Sequence, residues 1–165
     1  MTMLGHLLHT LFSMTLVLRF FWPNLVGVER FFVVVFAMST AIGILFWAIF
    51  FYDRELILPK SLDAIYPMSL NVFQHGFIAI LMWVEYYLGK YPFTSTHFRS
   101  FINFSIGYTI WTHVQKALFG IYPYPFMEFL DPVGHIVFIT PIFSVLGVIY
   151  FILLGVEKKS KLKSN

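Results

Sequence analysis

An all-α bundle that crosses a membrane about five times is the fold this sequence predicts, and three observations predict it. Of 165 residues, 59% are hydrophobic and only 12% are charged, against roughly 25% charge in soluble domains. Too little polar surface remains to cover such a chain in water. The apolar residues gather into long runs, and one of them, Phe31 to Tyr52, holds no formal charge from end to end. Aromatic residues make up 21% of the chain, with 21 Phe, 9 Tyr and 4 Trp, which suits lipid contact and interfacial belts.

The first segment, Thr2 to Trp22, carries one charge, Arg19, near enough to an end for its guanidinium to snorkel. It is not expected to be a cleavable signal, because no basic region precedes it and the first alanine is Ala37. Phe31 to Tyr52 is the second segment. The third, Tyr66 to Tyr86, places Pro67 in its first turn, where a missing N–H costs nothing. The fourth, Ser100 to Ala117, is the most polar; its sequon Asn103-Phe104-Ser105 is expected to be unused. The fifth, Pro132 to Val156, holds Pro141 as an expected kink satisfied by neighbouring helices. Short turn-rich connections such as Trp22-Pro23-Asn24, Leu58-Pro59-Lys60, Lys90-Tyr91-Pro92 and Tyr122-Pro123-Tyr124-Pro125 leave no room for a soluble domain. Residues 1–165 therefore read as a single transmembrane helical domain ending in a basic tail, 157–165.

Charge placement gives the chain an orientation. Arg19, Arg30, Lys90, Arg99, Lys158, Lys159, Lys161 and Lys163 fall on one side of a five-span chain, and Arg54, Lys60 and Lys116 on the other. Basic residues mark the cytosolic side, so the tail is expected in the cytosol and the N-terminus in the lumen or outside the cell. Lys161 and Lys163, fifth and third from the end, resemble a dilysine retrieval signal. The expected address is the endoplasmic reticulum membrane, with the plasma membrane second. An isoelectric point near 9.2 does not imply nucleic acid, since four of the eleven basic residues lie in the last eight positions. The partners expected are membrane lipids and a lipid substrate. The absence of cysteine excludes disulfides, thiolate metal sites and a cysteine nucleophile.

Polar residues inside the spans point to a site. Asn71, Gln74 and His75 sit in a run without formal charge from Ala64 to Val84. An ionisable group at membrane depth is costly unless it faces a protein interior, so His75 is a candidate functional residue. Thr2, His6, His9 and Ser13 share one helix face; Ser105, Thr109, Thr112 and Lys116 form another stripe, with His113 beside it. Such stripes are expected to converge on an interior cavity, with the hydroxyls of the later stripe mainly holding helices together. Metal and cofactor are not expected, because Asp53, Glu55, Asp63 and Glu85 all sit at span ends and no adjacent histidine pair occurs. A hydroxyl with a histidine suffices for acyl transfer. The Asn71 amide is eligible to bind the oxyanion or orient the base. Thr2, Ser13, Ser39, Thr40, Thr109 and Thr112 are all eligible nucleophiles on pattern alone.

The residues Phe46-Trp47, Tyr52-Asp53-Arg54-Glu55, Pro59-Lys60, Leu62-Asp63, Pro67, Leu70-Asn71, His75 and Glu85 occur in an order and spacing that is similar to one known family. Tyr91-Pro92, Gly107-Tyr108, Gly120, Tyr124-Pro125-Phe126 and Glu128 continue the likeness. The chain resembles the androgen-induced and androgen-dependent TFPI-regulating proteins from about Glu29 to Gly155. That resemblance implies a multi-pass membrane threonine hydrolase of fatty acid esters of hydroxy fatty acids, with a Thr and His pair and no cofactor. His75 matches the family's histidine; Val72 replaces a second histidine usual after the Asn. Met1-Thr2-Met3-Leu4, followed by Leu7-Leu8-His9-Thr10-Leu11-Phe12, is similar to the start of the family's second span, which makes Thr2 the matching nucleophile and Thr10 a distant second.

The family's first span then has no counterpart, so the chain is expected to behave as a shortened, weakly active product with five spans. The alternative is a catalytically inactive relative that binds lipid or regulates. Thr2 opens the first segment while His75 lies about eight residues into the third, an expected depth offset of roughly 12 Å at 1.5 Å per residue. That offset separates the pair unless the first helix sits deep or tilts.

Overall fold

The computed structural model of the protein describes residues 2–89, 91–122 and 124–163, with the side chains of Pro125, Ile142 and 158–163 left out. Lys90, Pro123 and the lysine side chains of the tail, on which the charge count, two of the turns and the retrieval signal rest, lie outside the described residues.

Helices make up the structure, and among the described residues no strand forms. They are α1 (Thr2–Phe21), α2 (Val28–Asp53), α3 (Met68–Val72), α4 (Ile78–Gly89), α5 (Ser95–Phe119) and α6 (Pro132–Lys163). A π-helical turn, Phe73–Phe77, joins α3 to α4, and short 3₁₀ turns cover Arg54–Leu56, Lys60–Leu62 and Pro125–Phe129. Thr2–Phe21, Val28–Leu56 and Pro132–Glu157 are each long and apolar enough to cross a membrane. The protein is a helical membrane bundle.

Local chemistry explains the helix ends. Gly27 holds φ at +86°, a left-handed conformation that only glycine adopts at low cost, and it turns the chain from α1 into α2. The second helix therefore starts at Val28, three residues before the expected Phe31. Pro67 lies outside the expected first turn: it is extended, with ψ 151°, and precedes α3 as its cap. The fourth segment begins at Ser95, earlier than the expected Ser100, because the Thr94 hydroxyl accepts the His97 N–H at 3.3 Å and caps the helix. It ends where Gly120, at φ +76°, returns its N–H to Lys116 O. The last helix continues beyond the expected Val156 into the basic tail.

α2 is the central helix and packs against α1, α4, α5 and α6. Its Phe32, Val33, Val35, Phe36 and Met38 are all buried. Phe32 stacks on Tyr91 with ring centroids 4.1 Å apart, and Phe36 meets Trp83 edge-on at 4.9 Å. Packing of this kind replaces the hydrophobic drive that lipid does not supply between helices.

Small residues set the spacing that builds the site. A Cβ on Gly43 would lie 3.0 Å from Ala79 Cβ and 3.3 Å from the His75 carbonyl oxygen, so any side chain there would press on α4 and the π-turn. A Cβ on Gly5 would overlap Ile42 of α2. Gly43→Val is expected to force α2 and the π-turn apart, at about 1–3 kcal/mol for an overpacked contact. Thermal unfolding in detergent, followed by circular dichroism, checks this against Gly107→Ala, whose added Cβ meets nothing within 4 Å. Equal midpoints for the two variants would show that the close approach carries no energy.

Candidate active site

The histidine ring is held on three sides. His75 is 8% exposed and lies in the π-turn, a helix distortion frequent at functional sites. Its ring stacks on Phe46 of α2, with centroids 3.7 Å apart and planes 13° from parallel. Its Nδ1 is 3.1 Å from the Asn71 backbone oxygen. A carbonyl only accepts, so Nδ1 carries the proton and Nε2 presents its lone pair. That lone pair faces Thr2 Oγ1 at 3.1 Å, and the threonine hydroxyl donates to it.

The expected depth offset between Thr2 and His75 is absent, and the register of the helices gives the reason. Counted from the short turn that joins α1 to α2, Thr2 lies 19 residues before Phe21 and Phe46 lies 18 residues after Val28, about 29 and 27 Å along their helices at 1.5 Å per residue. Thr2 therefore lies deep, beside Ile42 and Phe46, at the level His75 reaches from the opposite direction.

Asn71 takes a different part from the one expected of its amide. The residue is fully buried; its Nδ2 points at Met68 Sδ at 3.6 Å, and it does not line the cavity beside Thr2. Its backbone carbonyl, rather than its side chain, orients the histidine. Ser13 and Thr10 bond back to carbonyls of their own helix on its exposed side. Ser39 and Thr40 are buried in the α2 core with no hydrogen-bond partner among the described residues. The hydroxyls of α5 do not join helices as expected. Ser105, Thr109 and Thr112 each donate to a carbonyl within α5, at 2.9, 3.0 and 2.7 Å. Among the described residues no group of three or more histidine or acidic side chains is placed to hold a metal.

Thr2 and His75 open onto a cavity of about 660 Å³. Its walls are largely apolar, from Ile42, Leu45 and Ile49 of α2 to Phe138 and Ile139 of α6, and among the described residues no charged side chain lines it. The polar lining residues are Thr2, Tyr66, Gln74, His75, Tyr108, Thr109, Thr112, Gln115 and Tyr124. Tyr66 donates its hydroxyl to Gln74 Oε1. Tyr108 and Tyr124 bring their hydroxyls to 3.3 Å from each other.

A family model described as FAR-17a/AIG1-like protein matches residues 1–158. The chain belongs to this family. It is 32% identical over 124 residues to the human androgen-induced gene 1 protein, covering 73% of this chain and 51% of that protein. Against the androgen-dependent TFPI-regulating protein of Mesocricetus auratus it is 32% identical over 123 residues, 72% of this chain and 52% of the relative. A membrane protein of Schizosaccharomyces pombe shares 26% identity over 110 residues, 65% of this chain and 49% of its own. The chain spans about half the length of the curated relatives it matches. No solved structure matches it significantly.

In this FAR-17a/AIG1-like chain, residues that carried the sequence resemblance, Arg54, Glu55, Lys60, Asp63, Gly120 and Glu128 among them, help to hold the cavity's two caps. Arg54 pairs with Asp63 and donates from Nε to the Leu58 carbonyl at 3.2 Å; Glu55 accepts the Lys60 N–H at 3.2 Å. These bonds hold Ile57, Leu58, Leu62 and Ile65 over the cavity. On the second cap, Lys116 Nζ donates to Glu128 at 2.5 Å and to the Gly120 carbonyl at 2.8 Å. The Lys116 ammonium and the Tyr122 N–H hold the Glu128 carboxyl below its usual range. His135 Nε2 donates to the Met127 carbonyl at 3.0 Å and fixes the turn that presents Tyr124, Phe126 and Met127. Single-span patterning missed these ties because each joins residues from separate turns. Gln74 was visible as a polar neighbour of His75, and Tyr108 and Tyr124 only as family matches.

Proposed function

We propose that this protein is a membrane-embedded hydrolase of lipid esters, with Thr2 as nucleophile and His75 as general base. The observation that carries the reading is the 3.1 Å contact from Thr2 Oγ1 to an Nε2 whose lone pair is fixed by the Asn71 carbonyl. In the first step Thr2 Oγ1 bonds to the ester carbonyl carbon as its proton passes to His75 Nε2. Collapse of the tetrahedral species breaks the bond to the alcohol oxygen, which takes the proton back from His75. Water, deprotonated by the same nitrogen, then releases the fatty acid and restores the threonine. Neither metal nor cofactor enters these steps.

The mostly apolar cavity suits an acyl chain, and its volume of about 660 Å³ lies within the range of small-molecule pockets. Family resemblance narrows the substrate to fatty acid esters of hydroxy fatty acids. A catalytically inactive relative that binds lipid needs the cavity alone. Purified protein in lipid discs, given a panel of hydroxy-fatty-acid esters, acylglycerols and sterol esters, separates the two. Release of free fatty acid from the first class is expected. Lipid retained by the protein without release would favour the inactive relative.

We also propose an endoplasmic reticulum address with the tail in the cytosol, supported by the placement of Lys and Arg along the chain, which sets Thr2 and the cavity toward the lumenal half. Replacing Lys161 and Lys163 with Ser is expected to release the protein to later compartments, seen by imaging against organelle markers. An unchanged distribution would end the retrieval reading, and a tail epitope protected from protease in permeabilised cells with sealed organelles would reverse the orientation.

A further inference from the structure

We propose that the paired hydroxyls of Tyr108 and Tyr124 form the element of this cavity that binds the ester carbonyl and stabilises the oxyanion. The inference rests on the hydrolase reading above and adds to it the group that receives the developing negative charge.

Both rings line the cavity that Thr2 and His75 share. Tyr108 packs against the cluster of Met38, Ile42 and Ile78, to which Leu4 of α1 also packs. Tyr124 reaches the same place from the second cap, fixed there by the Lys116–Glu128 and His135–Met127 ties. With the oxygens 3.3 Å apart, one phenol donates to the other. Each hydroxyl has a single proton, so the second phenol keeps an O–H with no acceptor among the described residues. A donor without an acceptor in an apolar cavity is unfavourable, and a carbonyl oxygen entering the cavity relieves that cost. Burial pushes the Tyr124 phenol well above its ordinary value, so the hydroxyl stays protonated and donates throughout the neutral range.

The electron count fits this placement. As Thr2 Oγ1 bonds to the carbonyl carbon, the C=O pair moves onto oxygen. The phenol strengthens a hydrogen bond to that oxygen without giving up its proton. The amides of Gln74, whose carbonyl oxygen Tyr66 takes, and of Gln115 on α5 also line the cavity, and neither donates a hydrogen bond among the described residues. Gln74 neighbours His75 on one helix, the side from which the base acts. The oxyanion forms away from the base, which favours the wall built by α5 and the second cap.

The experiment uses the full chain in lipid discs with a chromogenic acyl ester, comparing Tyr108→Phe, Tyr124→Phe, the double variant and Gln74→Leu. Loss of the donating phenol is expected to lower kcat by about 10²–10³, the usual cost of one oxyanion donor, with KM little changed. The double variant is expected to fall no further than the worse single one, because the two hydroxyls act as a unit. An ether analogue, which lacks the carbonyl, is expected to bind all variants like the wild type, which also reports an intact cavity. Wild-type kcat in both Phe variants, or loss of ether binding in step with kcat, would overturn the assignment in favour of a packing role. A fall confined to Gln74→Leu would move the donor to the other wall. A wild-type chain without turnover would sink the hydrolase reading and this inference with it, an outcome distinct from active Phe variants.

Discussion

His75→Ala is expected to lower ester turnover by about 10²–10⁴, the usual contribution of a general acid–base group, while the chain still inserts and folds. Removing the ring leaves the Thr2 hydroxyl without an acceptor and a gap against Phe46. His75→Gln separates chemistry from packing. Its amide can fill the space beside Phe46 and accept a hydrogen bond, but it does not take a proton at neutral pH. Steady-state kcat on the wild type and both variants, with helicity checked by circular dichroism, provides the measurement. Turnover at the wild-type level in both variants would remove the base from the mechanism.

Thr2→Ala is expected to abolish both turnover and covalent labelling by a probe that acylates or phosphonylates activated hydroxyls. Oγ1 is the atom that forms the bond, so no neighbouring group substitutes for it. Ser39 and Thr40 are buried in the α2 core, while Thr109 and Thr112 donate their protons to α5 carbonyls. Thr2→Ser keeps the hydroxyl and is expected to retain labelling. Mass mapping of the adduct decides the matter. A label elsewhere, or equal labelling of Thr2→Ala, would show that another hydroxyl is the nucleophile.

Much of this protein was legible one segment at a time. Hydropathy placed the helices because an apolar run records its own burial, whatever it packs against. His75 stood out for the complementary reason, as an ionisable group that lipid would reject. Helix ends were less legible where a cap decided them. Thr94 starts α5 five residues early through one hydroxyl, and Gly27 starts α2 through one left-handed residue. Asn71 meets the histidine through its main-chain oxygen, a contact no residue pattern singles out because every residue has one.

The sequence by itself determined an all-helical membrane protein, its family and a histidine set in an apolar run. Each follows from composition or from residues close along the chain. Only the tertiary structure decided that Thr2 reaches His75, because the contact depends on how α1 and α2 lie side by side from their connecting turn and on the close approach at Gly43. It alone paired Tyr108 with Tyr124 and enclosed the cavity between α2, α5, α6 and the two caps. Depth, crossing distance and enclosed volume are properties of how helices stand against one another, and no single helix carries them in its own pattern.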